Sequence, residues 1–281
     1  MEQLILNGKE LSKIKEEQIR NKVASLKEKS GKNATLATII VGDDPASQTY
    51  VRMKGNACAR VGINSLKVEL DKDTTTEELL KVIQDLNNDE NIDGILLQHP
   101  VPKQIDERRC FNSINVEKDV DGVTSCGFGK MSMGEEAYVS ATPYGIMQIL
   151  KHYNIELEGK RAVVIGRSAI LGKPIAMMLL NNNATVTIAH SKTKNLEEIV
   201  KEADIVVACV GKPKFVKKEW LKQGVVIIDA GYNEGNIGDV DLENAAEISS
   251  AYTPVPGGVG PMTIVSLIEQ TVLSFEKRIN R

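Results

Sequence analysis

The sequence predicts an α/β protein of two domains, each built on a largely parallel sheet. Short apolar, β-branched runs such as TLATIIVG (35–42), RAVVIG (161–166) and GVVIIDAG (224–231) alternate with segments of helical spacing. The alternation stops near NVEKDVDGV (115–123) and then restarts, which marks two units. The 281 residues are enough for two modest cores.

In the first unit, Leu11, Ile14, Ile19, Val23 and Leu26 lie at helical spacing, so a helix is expected over 9–30, with Gly31 ending it. TLATIIVG reads as a buried strand, Ser47–Val61 as a helix stopped by Gly62, and INSLKVEL (63–70) as a second strand. Thr75 or Thr76 can cap a helix running to Leu86, with Glu77 and Glu78 favourably placed in its first turn. DGILLQHPVP (93–102) is a strand entering a proline-bounded loop, and a short helix near 105–114 follows.

The second unit opens with a helix, TPYGIMQILKHY (142–153). Then come strand RAVVIG, helix LGKPIAMMLLNN (171–182), strand ATVTIAHS (184–191), helix NLEEIVKEA (195–203) and strands DIVVACVG (204–211) and GVVIIDAG. Pro174 sits in a first helical turn, where its missing N–H costs nothing. The boundary is expected between Gly122 and Tyr144, giving domains 1–122 and 123–281. The final helix, about 262–281, is a candidate to return to the first domain.

Composition narrows the function. A net charge of −3 gives no sign of a nucleic-acid partner, and no segment approaches the apolar length of a membrane span. The N-terminal apolar run is too short for a signal peptide, so a cytoplasmic location is expected. Four cysteines are scattered without a C-x-x-C pair, and the three histidines form no H-x-x-x-H, so no metal site is expected.

VVIGRSAILGKPIA (163–176) joins a strand, a glycine loop and a helix, an arrangement that aims backbone N–H groups at pyrophosphate. It matches neither common phosphate motif, because Arg167 and Ser168 interrupt the glycine pattern and Pro174 stands where a Walker loop needs a hydroxyl. The next strand ends Ala189-His190-Ser191-Lys192, without the acid that holds the ribose 2′-hydroxyl of NAD. Ser191 and the Arg167 guanidinium suit a 2′-phosphate instead, which points to NADP. A tight turn with no ligand is the competing reading.

In SQTYVRMKGNAC (47–58), Tyr50 and Lys54 lie one helical turn apart on one face. By themselves they are read first as an ordinary surface helix, because the spacing is common. Gln98 ends a strand before Pro100 and Pro102, and Asp119 and Asp121 sit where the two units join, a preferred place for a cleft. TPVPGGVGPMT (253–263) is rigid and small-sided, suited to close approach by a flat ligand.

YVRMK, DGILLQHPVP, KDVDG, Thr142-Pro143, GRSAILGKP, HSKT, GDVD and TPVPGGVGPMT run in order across nearly the whole chain. Together they resemble the bifunctional methylenetetrahydrofolate dehydrogenase/cyclohydrolase family. The resemblance implies a cleft between a folate-binding domain and a Rossmann-like NADP-binding domain, usually in a homodimer. It implies oxidation of 5,10-methylenetetrahydrofolate with NADP, then hydrolysis of the methenyl product to 10-formyltetrahydrofolate for purine and formyl-methionine synthesis. It places Gly166, Arg167, Ser168, Ser191 and Tyr232 on the cofactor, Tyr232 through its backbone. It places Tyr50, Lys54, Gln98 and Asp121 on the folate and catalytic positions, and Pro256, Gly257 and Gly258 in a loop over the substrate. In that reading Lys54, held neutral by burial and by Gln98, assists water attack. Tyr50 stacks on the substrate and hydrogen-bonds Lys54, and Asp121 accepts the pterin N–H donors. Two departures flank the folate positions: His99 replaces a usual leucine, and GVTSCGFGK (122–130) replaces a GFHP-like run. An alternative is a dehydrogenase with reduced or lost cyclohydrolase activity; a non-catalytic nucleotide-binding protein is the rival from another class.

Overall fold

A computed structural model describes residues 3–280. The chain begins with β1 (Leu4–Ile5), α1 (Gly8–Ser30), β2 (Thr35–Val41), α2 (Pro45–Val61) and β3 (Asn64–Leu70). It continues through α3 (Thr76–Asn88), β4 (Gly94–Leu97), α4 (Glu107–Ser113), α5 (Ser125–Ser132) and α6 (Ala141–His152). Then come β5 (Arg161–Ile165), α7 (Gly172–Asn181), β6 (Thr185–Ala189), α8 (Leu196–Lys201), β7 (Ile205–Ala208) and β8 (Val226–Asp229). The short α9 (Leu242–Ala245), β9 (Ala251–Tyr252) and the long α10 (Val259–Ile279) complete it. The α/β class with largely parallel sheets is as expected.

Two compact units emerge. One holds the N-terminal segment to Lys13 with Thr142–Thr263; the other holds Ile14–Ala141 and the chain from Ile264 onward. Both units are therefore discontinuous; the sequence reading sets one boundary between 122 and 144 and offers the final helix as a candidate to return to the first domain, and the residues from Ile264 onward group with Ile14–Ala141. The division runs through α1 and α10, continuous helices whose periodicity gives no signal of a change of unit.

The three-stranded unit has the order β3-β2-β4, all parallel. β2 is buried at six of its seven residues, as a central parallel strand must be. α2 starts where the Asp44 carboxylate accepts the Ser47 N–H at 2.7 Å beside Pro45, and stops at Gly62 in the left-handed conformation. Thr75 and Glu78 form a reciprocal capping box on α3, which settles the choice between Thr75 and Thr76. α4 is anchored by buried Cys110 and Phe111. GVTSCGFGK, given no element by the sequence reading, contributes most of α5, capped by Thr124.

The six-stranded unit has the order β1-β9-β8-β7-β5-β6, again all parallel. Its core gathers Val163, Ile165, Val206, Ile227 and their neighbours. The chain leaves β5 for β6 on one side and returns to β7 on the other, so the carboxyl end of β5 is a topological switch point, where ligands bind in open parallel sheets. Four of these strands were expected; β1 and β9, two residues each, are too short to show a period of two. No described helix is long and apolar enough to cross a membrane.

Candidate active site

The three-stranded unit gathers the expected folate and catalytic residues. α2 carries Tyr50 and Lys54, both half-buried, one turn apart. Gln98 lies one residue past β4, and its N–H extends the ladder to the Ile39 carbonyl at 2.8 Å. The residue is 8 % exposed, and its side chain makes two directed bonds. Oε1 accepts from Lys54 Nζ at 2.9 Å, and Nε2 donates to the His99 carbonyl at 2.7 Å. The amide is thus fixed with its oxygen towards the lysine.

Burial holds the Lys54 amine below the ordinary lysine range, with the Asp121 charge acting in the opposite sense. Burial likewise pushes the Asp121 carboxyl up to about 6, against the pull of Lys54. Burial therefore presses both Lys54 and Asp121 towards their neutral forms.

Asp119 and Asp121 separate in role. The Asp119 carboxylate accepts the N–H groups of Val123 and Thr124 at 3.0 and 2.9 Å, and the residue is 1 % exposed. It builds the turn. Gly122 has φ +63°, and a Cβ there would collide with the Val139–Ser140 backbone, so that position requires glycine. The Asp121 carboxylate accepts neither of these turn bonds.

The expected cofactor residues lie in the other unit, with Gly166, Arg167 and Ser168 directly after β5, Ser191 after the neighbouring β6 and Tyr232 after β8. Gly166 follows the strand with φ +139°, and a Cβ would strike the Cys209 carbonyl after β7. Arg167 is exposed and has no hydrogen bond or ion pair with another described residue. Ser168 Oγ accepts the Gly172 N–H at 3.2 Å, so its hydroxyl serves the loop that opens α7. After β6, the His190 N–H donates to Thr193 Oγ1 and the Lys192 N–H to His190 Nδ1, a tight turn that leaves Ser191 and Lys192 exposed. No acid stands at that strand end.

Tyr232 is 63 % exposed and bonds Asn236 Oδ1 at 3.2 Å through its hydroxyl. Pro256, Gly257 and Gly258 belong to this unit as well. The Gly257 carbonyl accepts the Lys9 N–H at 2.8 Å, and Gly257 has φ +106° with open space where a Cβ would stand.

Sequence reasoning missed what holds the loop after β7. Asp239 is fully buried, and its carboxylate accepts from Val210, Gly211 and Lys212 N–H at 2.6–2.9 Å and from Asn233 Nδ2 at 3.1 Å. Asp229 accepts from the backbone of Gly231, Asp239 and Val240, each at 2.9 Å. A Cβ at Gly238 would run into the Asp229 carboxylate. The only sequence signal was GDVD, seen as a matching string without a reason; its reason is this pair of buried carboxylates.

The donor set fits a phosphorylated dinucleotide. A glycine-ended strand at the switch point, a helix N-terminus beyond it and an unpaired guanidinium present donors and positive charge, and no carboxylate competes for a 2′-phosphate.

Comparison with known proteins agrees. The description "Tetrahydrofolate dehydrogenase/cyclohydrolase, catalytic domain" matches residues 6–121, and "Tetrahydrofolate dehydrogenase/cyclohydrolase, NAD(P)-binding domain" matches residues 140–279. The chain is 62% identical over 279 residues to the bifunctional protein FolD of Cellvibrio japonicus, covering 99% of this chain and 100% of that one. The crystal structure of the bifunctional FolD methylenetetrahydrofolate dehydrogenase/cyclohydrolase from Campylobacter jejuni is 45% identical with a TM-score of 0.97, covering 99% of this chain and all of that one. The Trypanosoma brucei enzyme, solved with NADP cofactor and an inhibitor, is 34% identical with a TM-score of 0.96 and full coverage of both chains. The chain belongs to the tetrahydrofolate dehydrogenase/cyclohydrolase family.

Proposed function

We propose that this chain is a bifunctional enzyme that oxidises 5,10-methylenetetrahydrofolate with NADP and hydrolyses the methenyl product to 10-formyltetrahydrofolate. The observation that carries the hydrolytic half is the Lys54–Gln98 pair, a buried amine held by a neutral amide. A neutral lysine can take the proton of a water attacking the cationic methenyl carbon, where a permanent ammonium would repel that carbon. Asp121 accepts hydrogen bonds from the pterin ring, and Tyr50 stacks on the substrate.

Gly166, Arg167, Ser168 and Ser191 hold NADP, with the backbone at Tyr232. Bound NADP supplies the hydride acceptor. Arg167 and Ser191 bind its 2′-phosphate, and Pro256, Gly257 and Gly258 approach the substrate with small side chains.

The enzyme acts in the cytoplasm as a homodimer. The four free cysteines accord with a reducing compartment. β3 supports the dimer: it is an edge strand with every residue exposed or half-exposed, Leu66 at 41 %, and such an edge is a template for a second copy.

A coupled assay with methylenetetrahydrofolate and each cofactor in turn, read at the absorbances of reduced cofactor and methenyl product, tests both activities. Reduction of NADP followed by enzyme-dependent decay of the methenyl band is expected. Accumulation of methenyl product at its spontaneous decay rate would favour a dehydrogenase alone.

A further inference from the structure

The short helix α4 reaches both loops that carry the catalytic set. Glu107 Oε1 meets His99 Nδ1 at 2.5 Å, next to Gln98. Arg108 Nη1 donates to the Val123 carbonyl at 2.7 Å, two residues after Asp121. Asn112 Oδ1 accepts the Ser125 N–H at 2.9 Å.

α4 is itself firmly seated. Phe111 is 1 % exposed, the Asp106 N–H donates to Thr76 Oγ1 at 2.9 Å, and Arg109 pairs with Glu77 at 2.6 Å. So adjacent residues of opposite charge, on one anchored turn, grip the two loops that present Gln98 and Asp121.

The grip bears directly on side-chain direction. The Gln98 amide is oriented by the His99 carbonyl, so movement of His99 turns Oε1 away from Lys54. The Val123 N–H and carbonyl are held from two sides, by Asp119 and Arg108, which fixes the chain just after Asp121.

We propose that Glu107 and Arg108 are positioning residues for the hydrolytic reaction, acting through His99 and Val123 to keep Gln98 and Asp121 in register with Lys54. This rests on the assignment of Lys54, Gln98 and Asp121 given above. Neither residue was singled out by the sequence, which gives only a short helix near 105–114.

The test uses the full chain, with steady-state kinetics of methenyl hydrolysis, the KM for NADP and thermal melting. Glu107→Gln and Arg108→Gln are each expected to lower kcat/KM for hydrolysis by about ten- to a hundredfold, with the KM for NADP within about twofold of the parent. Arg108→Lys should recover part of the loss, because it restores a donor to the Val123 carbonyl, and Arg108→Met, which keeps the aliphatic stem without a donor, stands in for Arg108→Gln if that variant misfolds. His99→Leu combined with Glu107→Gln should be no worse than the more severe single change, since the two residues act as one contact.

Hydrolysis at the parent kcat/KM in both Glu107→Gln and Arg108→Gln would overturn the proposal. So would a loss that tracks a fall in melting temperature and in NADP binding. Lys54→Met, assayed alongside, separates the two levels: if it hydrolyses normally, the underlying assignment of the site fails rather than the role of α4.

Discussion

Lys54 donates to the side-chain oxygen of Gln98 across 2.9 Å, joining the middle of α2 to the end of β4. An amide accepts that bond without adding charge, so no opposite charge in the pair offsets the cost of burying an ammonium. A carboxylate in the same place would hold the lysine as a cation.

Gln98→Glu is therefore expected to raise the Lys54 pKa. With neutral Lys54 as the proposed base, activity should fall as pH drops through that pKa. In the Gln98→Glu variant the acid limb of the hydrolysis profile should move to higher pH, and the rate at neutral pH should fall by roughly tenfold or more. A pH–rate profile of methenyl hydrolysis checks this, and an unmoved limb would mean that Lys54 is not the titrating base.

Arg167→Ala should weaken NADP more than NAD. A charged hydrogen bond to phosphate contributes about 1.5–3 kcal/mol, which corresponds to roughly ten- to a hundredfold in Kd. Titration of both cofactors into the variant decides it; equal losses would mean that Arg167 does not read the 2′-phosphate.

Asp239→Ala would leave three backbone N–H groups and the Asn233 amide without their acceptor in a buried site. At about 1–3 kcal/mol for each stranded donor, partly relieved by water, a loss on the order of 3 kcal/mol is expected in urea unfolding. NADP binding should weaken as the loop after β7 loosens. A variant as stable as the parent would show that these bonds are dispensable.

These residues also show what was legible in the chain. Lys54 and Tyr50 could be placed together because a helix repeats every 3.6 residues, and Arg167 because a strand, a glycine and a helix define where a phosphate loop must be. The Lys54–Gln98 bond joins residues 44 apart, and no local pattern encodes it; resemblance to a family supplied that pairing. Asp239 and Arg108 were missed for the same reason. Their partners are mainly backbone groups far along the chain, which carry no side-chain signature. β1 and β9 escaped because a two-residue strand has no alternation to read. The point inside α10 where the chain changes unit, between Thr263 and Ile264, has no local signal because its apolar face is continuous.

Leu66→Lys places a charge on the exposed edge strand β3. If β3 joins two copies, sedimentation should show a shift from dimer to monomer, while Leu66→Val leaves the dimer intact. A Leu66→Lys dimer of undiminished affinity would place the interface elsewhere.

The most direct measurement of the central claim is methenyltetrahydrofolate decay in Lys54→Met, with NADP binding followed in the same sample. Methionine keeps nearly the length of the side chain and removes its basic nitrogen. The expected result is decay at the rate without enzyme, with NADP bound as in the parent. Hydrolysis at the parent rate would contradict the assignment of Lys54 as the group that activates water.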